Sequence, residues 1–192
     1  ETRWIFSVFA AALVFGLWGF SVGWQSRNLP GIEFRQAQTA LSIHYIQEER
    51  NFSIDYPTPV LGKPWSIPME FPLYQWTAAL IGDATGYSAT KSGRLVTIAC
   101  FYLMLPAVWL LLGRWQVAPG RRWMTLAVIV SSPFYIFYGR GVFIETMALM
   151  FSLWFWWGLS WRWSGGTGAG WPWRSWRVPG PAWSRSRVSC CT

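Results

Sequence analysis

Charge is what this sequence has least of. Only 12% of its 192 residues are Asp, Glu, Lys or Arg, about half the share of an average soluble domain, which is roughly 25%. A chain so short of charge and 53% hydrophobic cannot cover its surface with polar groups, so much of that surface must face lipid. The same composition excludes intrinsic disorder and collagen-like repeats. Histidine occurs once and cysteine three times. Cys100 lies in an apolar run and Cys190 and Cys191 are adjacent, so neither a spaced disulfide framework nor a Cys-x-x-Cys zinc pair can be assembled. Acids are few as well, 8 against 16 Lys and Arg, giving a formal charge of +8. The cations are dispersed along the chain rather than gathered on one soluble stripe, which excludes a nucleic-acid binder.

Long apolar runs are what the chain does have. Four stand out: Trp4 to Trp24, Leu95 to Leu112, Trp123 to Tyr138 and Val142 to Leu159. Crossing a hydrocarbon core takes about 20 helical residues, which the first run meets and the second and fourth approach. The third is short, and Ser131, Ser132 and Pro133 inside it predict a broken or kinked helix. Trp4 to Trp24 is too long for a signal peptide and has no small-residue cleavage site, so it reads as a retained span behind a clipped start. The expected fold class is an all-α polytopic membrane protein of about four transmembrane helices.

Orientation follows from Lys and Arg in the short connections. Arg3, then Arg114, Arg121 and Arg122, then Arg162, Arg174 and Arg177 mark the cytoplasmic ends. The segment from Gln25 to Arg94 balances its basic residues (Arg27, Arg35, Arg50, Lys63, Lys91, Arg94) against its acidic ones (Glu33, Glu48, Glu49, Asp55, Glu70, Asp83) and belongs outside. A connection of that length has a function of its own. Within it, Phe34, Ala37, Leu41, Tyr45 and Glu48 recur at helical spacing, which predicts an amphipathic helix over Glu33–Glu49, begun after Pro30-Gly31 and lying along the membrane surface. A second short amphipathic piece is expected over Phe71–Ile81, beyond a proline-rich crossing.

Several residues in and around this outer loop carry chemistry. Glu33 directly follows Gly31-Ile32 at the start of the surface helix. It is a carboxylate near a lipid headgroup or, more blandly, a first-turn acid stabilised by the helix dipole by about 0.3 to 1 kcal/mol. Arg35, Arg94 and Arg140 stand at outer ends, where a guanidinium can hold phosphate bidentately or simply snorkel. Lys91 shares a helical face with Arg94. Arg140 and Glu145 are expected to pair, and an acid in an apolar run is functional by default. His44 and Glu48, four apart, offer at most two metal ligands where a site needs three or four. Lys63-Pro64-Trp65 and Glu70-Phe71-Pro72-Leu73-Tyr74 present aromatic faces suited to a sugar ring or to an interfacial belt.

In combination, "GIEFRQAQTALS", "GKPWSIPMEFPLYQWTAALIG", "SGRLVTI" and "SPFYIFYGRGVFIETMALMFSLW" resemble, over residues 1–160, the start of the GT-C membrane glycosyltransferases. The likeness is to the protein O-mannosyltransferase and lipid A aminoarabinose transferase type in its bacterial form. The resemblance implies transfer of a sugar from a polyprenyl phosphate carrier to an acceptor on the outer, periplasmic face of the inner membrane. It gives the catalytic acid's role to Glu33, where many relatives have Asp or an Asp-Glu pair. Lys91 and Arg94 would meet the carrier phosphate, with Arg35, Arg140 and Glu145 around the substrate. A divalent metal serves some members of the family and not others. The rival reading is a non-enzymatic polytopic protein, a transporter component or scaffold, in which the same charges gate or brace.

Residues 161–192 depart from all of this. They draw on Trp, Arg, Ser, Gly, Thr, Ala, Pro, Val and Cys alone, from which neither a core nor a span can be built. Guanine- and cytosine-rich codons read out of frame give such a set, so the tail is expected to follow a lost frame near Leu159, with the family's remaining spans missing. A basic Trp-rich segment touching anionic lipid is the alternative.

Overall fold

Apolar side chains at nearly every position make the first helix, α1 (Thr2–Ser21). In the computed structural model, which describes residues 2–25, 32–56, 58 and 70–163, six further helices follow: α2 (Glu33–Glu49), α3 (Leu73–Thr85), α4 (Ala89–Arg114), α5 (Pro119–Ser131), α6 (Pro133–Gly139) and α7 (Ile144–Trp163). The described residues are all-helical, without strands. The proline-rich crossing with Lys63-Pro64-Trp65 lies outside them, as does the tail from residue 164 onward.

Two of these helices, α1 over Trp4–Ser21 and α4, are long and apolar enough to cross a membrane, as in a membrane protein. A third span exists if α6 and α7, bent at 118°, count as one. By length and composition, then, two or three spans stand among the described residues. The run from Trp123 to Tyr138 is divided between α5 and α6, because Pro133 has no N–H to continue the ladder and instead opens α6. With 13 residues, α5 is only about 20 Å long against a core of about 30 Å.

The helices run in consistent directions. Ile5 of α1 and Gly120 of α5 adjoin at one end, where Arg114 of α4 also reaches the carbonyl of Ser160 in α7 at 3.3 Å. At the opposite end the start of α4 meets the end of α1, for Arg94 bonds the Gly23 and Trp24 carbonyls. Helices α1 and α5 thus point one way, α4 and α7 the other.

Packing between α1 and α5–α6 depends on small residues. A Cβ on Gly16 would stand 2.9 Å from a Val130 methyl, and one on Gly19 2.7 Å from Ile136. Apolar helices gain little hydrophobic energy from each other in lipid, so close van der Waals approach through glycine holds them. Phe9, Leu105, Leu126 and Val130 fill the space beneath. Helix α4 continues through Pro106, whose ring disturbs the preceding carbonyls. Neighbouring helices supply donors there: Tyr135 Oη to Phe101 O at 2.8 Å and Trp154 Nε1 to Leu103 O at 3.0 Å.

Helices α2 and α3 form a polar layer at the end of the bundle where α4 begins. Tyr74 of α3 donates to Gly93 O at 2.8 Å and lies 2.9 Å from Thr97 Oγ1, both on α4. Arg50 pairs with Asp83, and Gln47 Nε2 donates to Ala79 O at 3.3 Å, joining α2 to α3. A helix does stand over Glu33–Glu49. The buried residues are Gln36, Thr39, Ser42, Ile43 and Ile46, while Phe34 is 73% and Leu41 44% exposed. Phe34 and Leu41 thus face away from the protein, the direction lipid would cover, while Ile43 and Ile46 are fully buried.

Candidate functional site

Arg35 is the centre of a charged group that joins three parts of the chain: α2, the segment before α3, and α7. It leaves the third position of α2 with its Nη2 3.4 Å from Glu70 Oε2 and 3.1 Å from Glu145 Oε1, while its Nε donates to the same Glu145 oxygen at 3.3 Å. Two carboxylates therefore share one guanidinium. Glu70 comes from the segment before α3, and Glu145 from the first turn of α7, where a negative charge also complements the helix dipole. The group is open to its surroundings: the side chains of Arg35 and Glu70 are 38% and 29% exposed, and that of Glu145 61%.

Beneath it lies Tyr56, which is 1% exposed. Burial pushes its hydroxyl above the ordinary 10.0 and the nearby Glu70 carboxylate adds to this, whereas the Glu70 backbone N–H, Arg35 and Thr58 pull the other way. Sequence pattern does not single out Tyr56, and it brings in Glu70 only as the start of the Glu70–Tyr74 run, not as a partner of Arg35. No periodicity links an irregular segment to a helix face, so no signal was available to find them. Gln75 of α3 is another: it is buried, and its Oε1 has no hydrogen-bond partner among the described residues.

The segment before α7 is fixed by crowding. Phe143 N–H lies 3.5 Å from Thr97 Oγ1. Val142 is fully buried against Gly93, where a Cβ would come within 2.7 Å of a Val142 methyl. A Cβ on Gly139 would strike the Phe20 and Phe101 rings. These contacts set where α7 starts and so where Glu145 stands.

The expected site residues are separated into different places. Arg35 and Glu145 are brought together. The anticipated Arg140–Glu145 pair is not formed; Arg35, 110 residues away in sequence, takes that carboxylate. Arg140 is half-buried at the end of α6. Arg94 is 2% exposed, with Nη1 donating to the Gly23 and Trp24 carbonyls at 3.2 and 3.1 Å. It ties down the C-terminal end of α1, as a cation at a helix C-terminus does, rather than standing open to a phosphate. Glu33 is exposed in the first turn of α2, with no ion pair among the described residues.

Lys91 lies elsewhere again, in a groove of about 820 Å³ between the end of α1, the outer face of α2 and the start of α4. Trp24, Ala37, Leu41, His44 and Ser88 share its wall. Helical spacing puts Glu33 on the same side of α2 as Ala37 and His44, one turn further toward the N-terminus. His44 pairs with Glu48 at 3.5 Å. No three His, Cys, Asp or Glu side chains among the described residues gather as a metal site, and Glu70 and Glu145 are occupied by Arg35, so this donor set does not fit a divalent ion.

No family model matches the chain, and no curated protein or solved structure is significantly similar to it.

Proposed function

We propose that the chain is a membrane glycosyltransferase of the GT-C kind, acting on a sugar carried by a polyprenyl phosphate at the outer face of the bilayer. One observation carries the reading: Arg35 of the polar layer joined to Glu70 and to Glu145, the first-turn acid of the apolar helix α7. Opposed charges held where an apolar bundle meets a polar cover suit a substrate that is itself half lipid and half sugar phosphate. The four-span arrangement, with α5–α6 as one broken crossing and α2–α3 as interfacial helices, belongs to this proposal.

The chemistry is an inverting displacement. The acceptor's hydroxyl or amine attacks the anomeric carbon, the bond from that carbon to the carrier phosphate oxygen breaks, and the phosphate leaves with the electron pair. Glu33, exposed beside the groove, takes the acceptor's proton. Lys91 offsets the charge growing on the phosphate. Arg35 and Glu145 orient the sugar, and Arg140 supplies a further cation nearby. Arg94 acts as a positioning residue through the end of α1.

The rival, a non-enzymatic transporter component or scaffold, draws support from Arg94, whose bonds are structural. Transfer from a polyprenyl phosphate sugar, measured in vesicles holding the full-length protein, separates the two. Glu33→Gln is expected to lower the rate about 100-fold or more, the usual contribution of a general base, with Glu33→Asp retaining part of it. A wild-type rate in Glu33→Gln removes the base assignment, and no transfer from any such donor by the unaltered protein removes the enzyme.

A further inference from the structure

At the other end of the molecule every described charge at the helix ends is positive: Arg114 closes α4, Arg121 and Arg122 open α5, and Arg162 ends α7. These arginines do different things. Arg114 donates to Ser160 O. Arg122 turns inward, its Nε donating to Val117 O at 2.6 Å and its guanidinium 5.4 Å from the Trp109 ring. Arg121 does neither: it is exposed and has no ion pair or side-chain hydrogen bond among the described residues.

Arg121 stands at the mouth of a groove of about 670 Å³ between α1 and α5. Ile5, Gly120, Met124 and Val128 form its walls. Gly120 keeps it open at the top, since a Cβ there would already be 3.2 Å from Ile5. Thr125, the polar residue in the wall, gives its hydroxyl proton to Arg121 O at 2.9 Å and leaves the surface apolar. From Arg121 to Val128 is two helical turns, about 10 Å, down the side of a helix about as deep as one bilayer leaflet. Val128, at the far end, is 65% exposed.

We infer that this groove binds one acidic phospholipid, its headgroup phosphate on Arg121 and an acyl chain along Met124 and Val128. A cation above an apolar trough matches an anionic headgroup above a hydrocarbon chain, and acidic lipid is what a basic membrane face attracts. The groove lies at the opposite end from Arg35 and Lys91. The inference rests on the apolar helices crossing a bilayer and not on the sugar-transfer reading, so either can fail alone.

The test is native mass spectrometry of the full chain released from nanodiscs of equal phosphatidylcholine and phosphatidylglycerol. The unaltered chain is expected to retain one phosphatidylglycerol in preference to phosphatidylcholine. Arg121→Gln should lower that retained lipid about fivefold, the ratio one arginine near a membrane surface gives. Val128→Trp keeps the charge but fills the trough, and should lower it comparably, while Arg162→Gln should leave it unchanged. Equal retention of both lipids by the unaltered chain overturns the inference. So does an equal loss in Arg162→Gln, which would mean a diffuse basic surface, or undiminished binding in both Arg121→Gln and Val128→Trp variants of unaltered helicity.

Discussion

The two ends of the bundle use arginine differently. At the basic end, Arg114 and Arg122 donate to backbone carbonyls and act as staples with no acid partner among the described residues. At the other end, Arg35 and Arg50 reach carboxylates on separate elements. Arg94 crosses the division: it lies at the end that holds the carboxylates but bonds carbonyls, as the staples do. The lesson is that a cation near a span's end says little about function until its partner is known. Staples hold a helix terminus, and removing one loosens the fold. Bridged arginines hold movable parts in register, and removing one should disturb what those parts do while leaving the fold standing.

The largest expected effect is at the staple. Arg94→Met removes two charged hydrogen bonds from a buried position, each worth about 1.5 to 3 kcal/mol, and should lower the unfolding midpoint in detergent more than any substitution at Arg35. An Arg94→Met protein as stable as the unaltered one would erase the distinction between the two kinds of arginine. Next comes the joint beneath the polar layer. Tyr74→Phe leaves the Gly93 carbonyl and Thr97 hydroxyl without their buried partner, at about 1 to 3 kcal/mol, and should increase hydrogen exchange in α2 and α3 while α1 and α5 stay protected. Uniform loosening of all helices would show that the layer is not a separate unit.

Arg35→Gln is the converse case. Its ion pairs are more than a third exposed on the Arg35 side, so the stability change should stay below about 1 kcal/mol, yet sugar transfer should fall. A stability loss as large as that of Arg94→Met would move Arg35 among the staples. The smallest effect is alkaline. The Tyr56 and Tyr74 hydroxyls are both held above the ordinary 10.0, chiefly by burial. The unfolded chain then loses those protons first as pH rises, so stability is whole below pH 10 and declines above it. Tyrosinate absorbance should show these two titrating late, and Tyr56→Phe should flatten the alkaline decline.

Parts of this arrangement were legible from local chemistry. Pro30-Gly31 followed by helical spacing marks a helix over Glu33–Glu49, and Pro133 after two serines marks the break between α5 and α6. Which residues of α2 turn inward is only partly legible, because Gln36, Thr39 and Ser42 are buried beside Ile43 and Ile46 and, next to lipid, polarity alone no longer identifies the core. The pairing of Arg35 with Glu145 spans 110 residues and follows from where crowding at Gly93, Gly139 and Val142 starts α7, which spacing along the chain cannot express. The close approach at Gly16 and Gly19, three apart on α1, comes from the structure. Arg94 looked like its neighbours because sequence gives a cation's position and not its acceptors.

Sidedness underlies the whole account, and cysteine labelling in intact cells measures it. In a cysteine-free background, Phe34→Cys on the exposed face of α2 should react with a membrane-impermeant maleimide before any permeabilisation, and Arg121→Cys only after it. The opposite order, Arg121→Cys reacting first and Phe34→Cys protected until lysis, would put the Arg35 group on the cytoplasmic side and contradict the proposed enzyme.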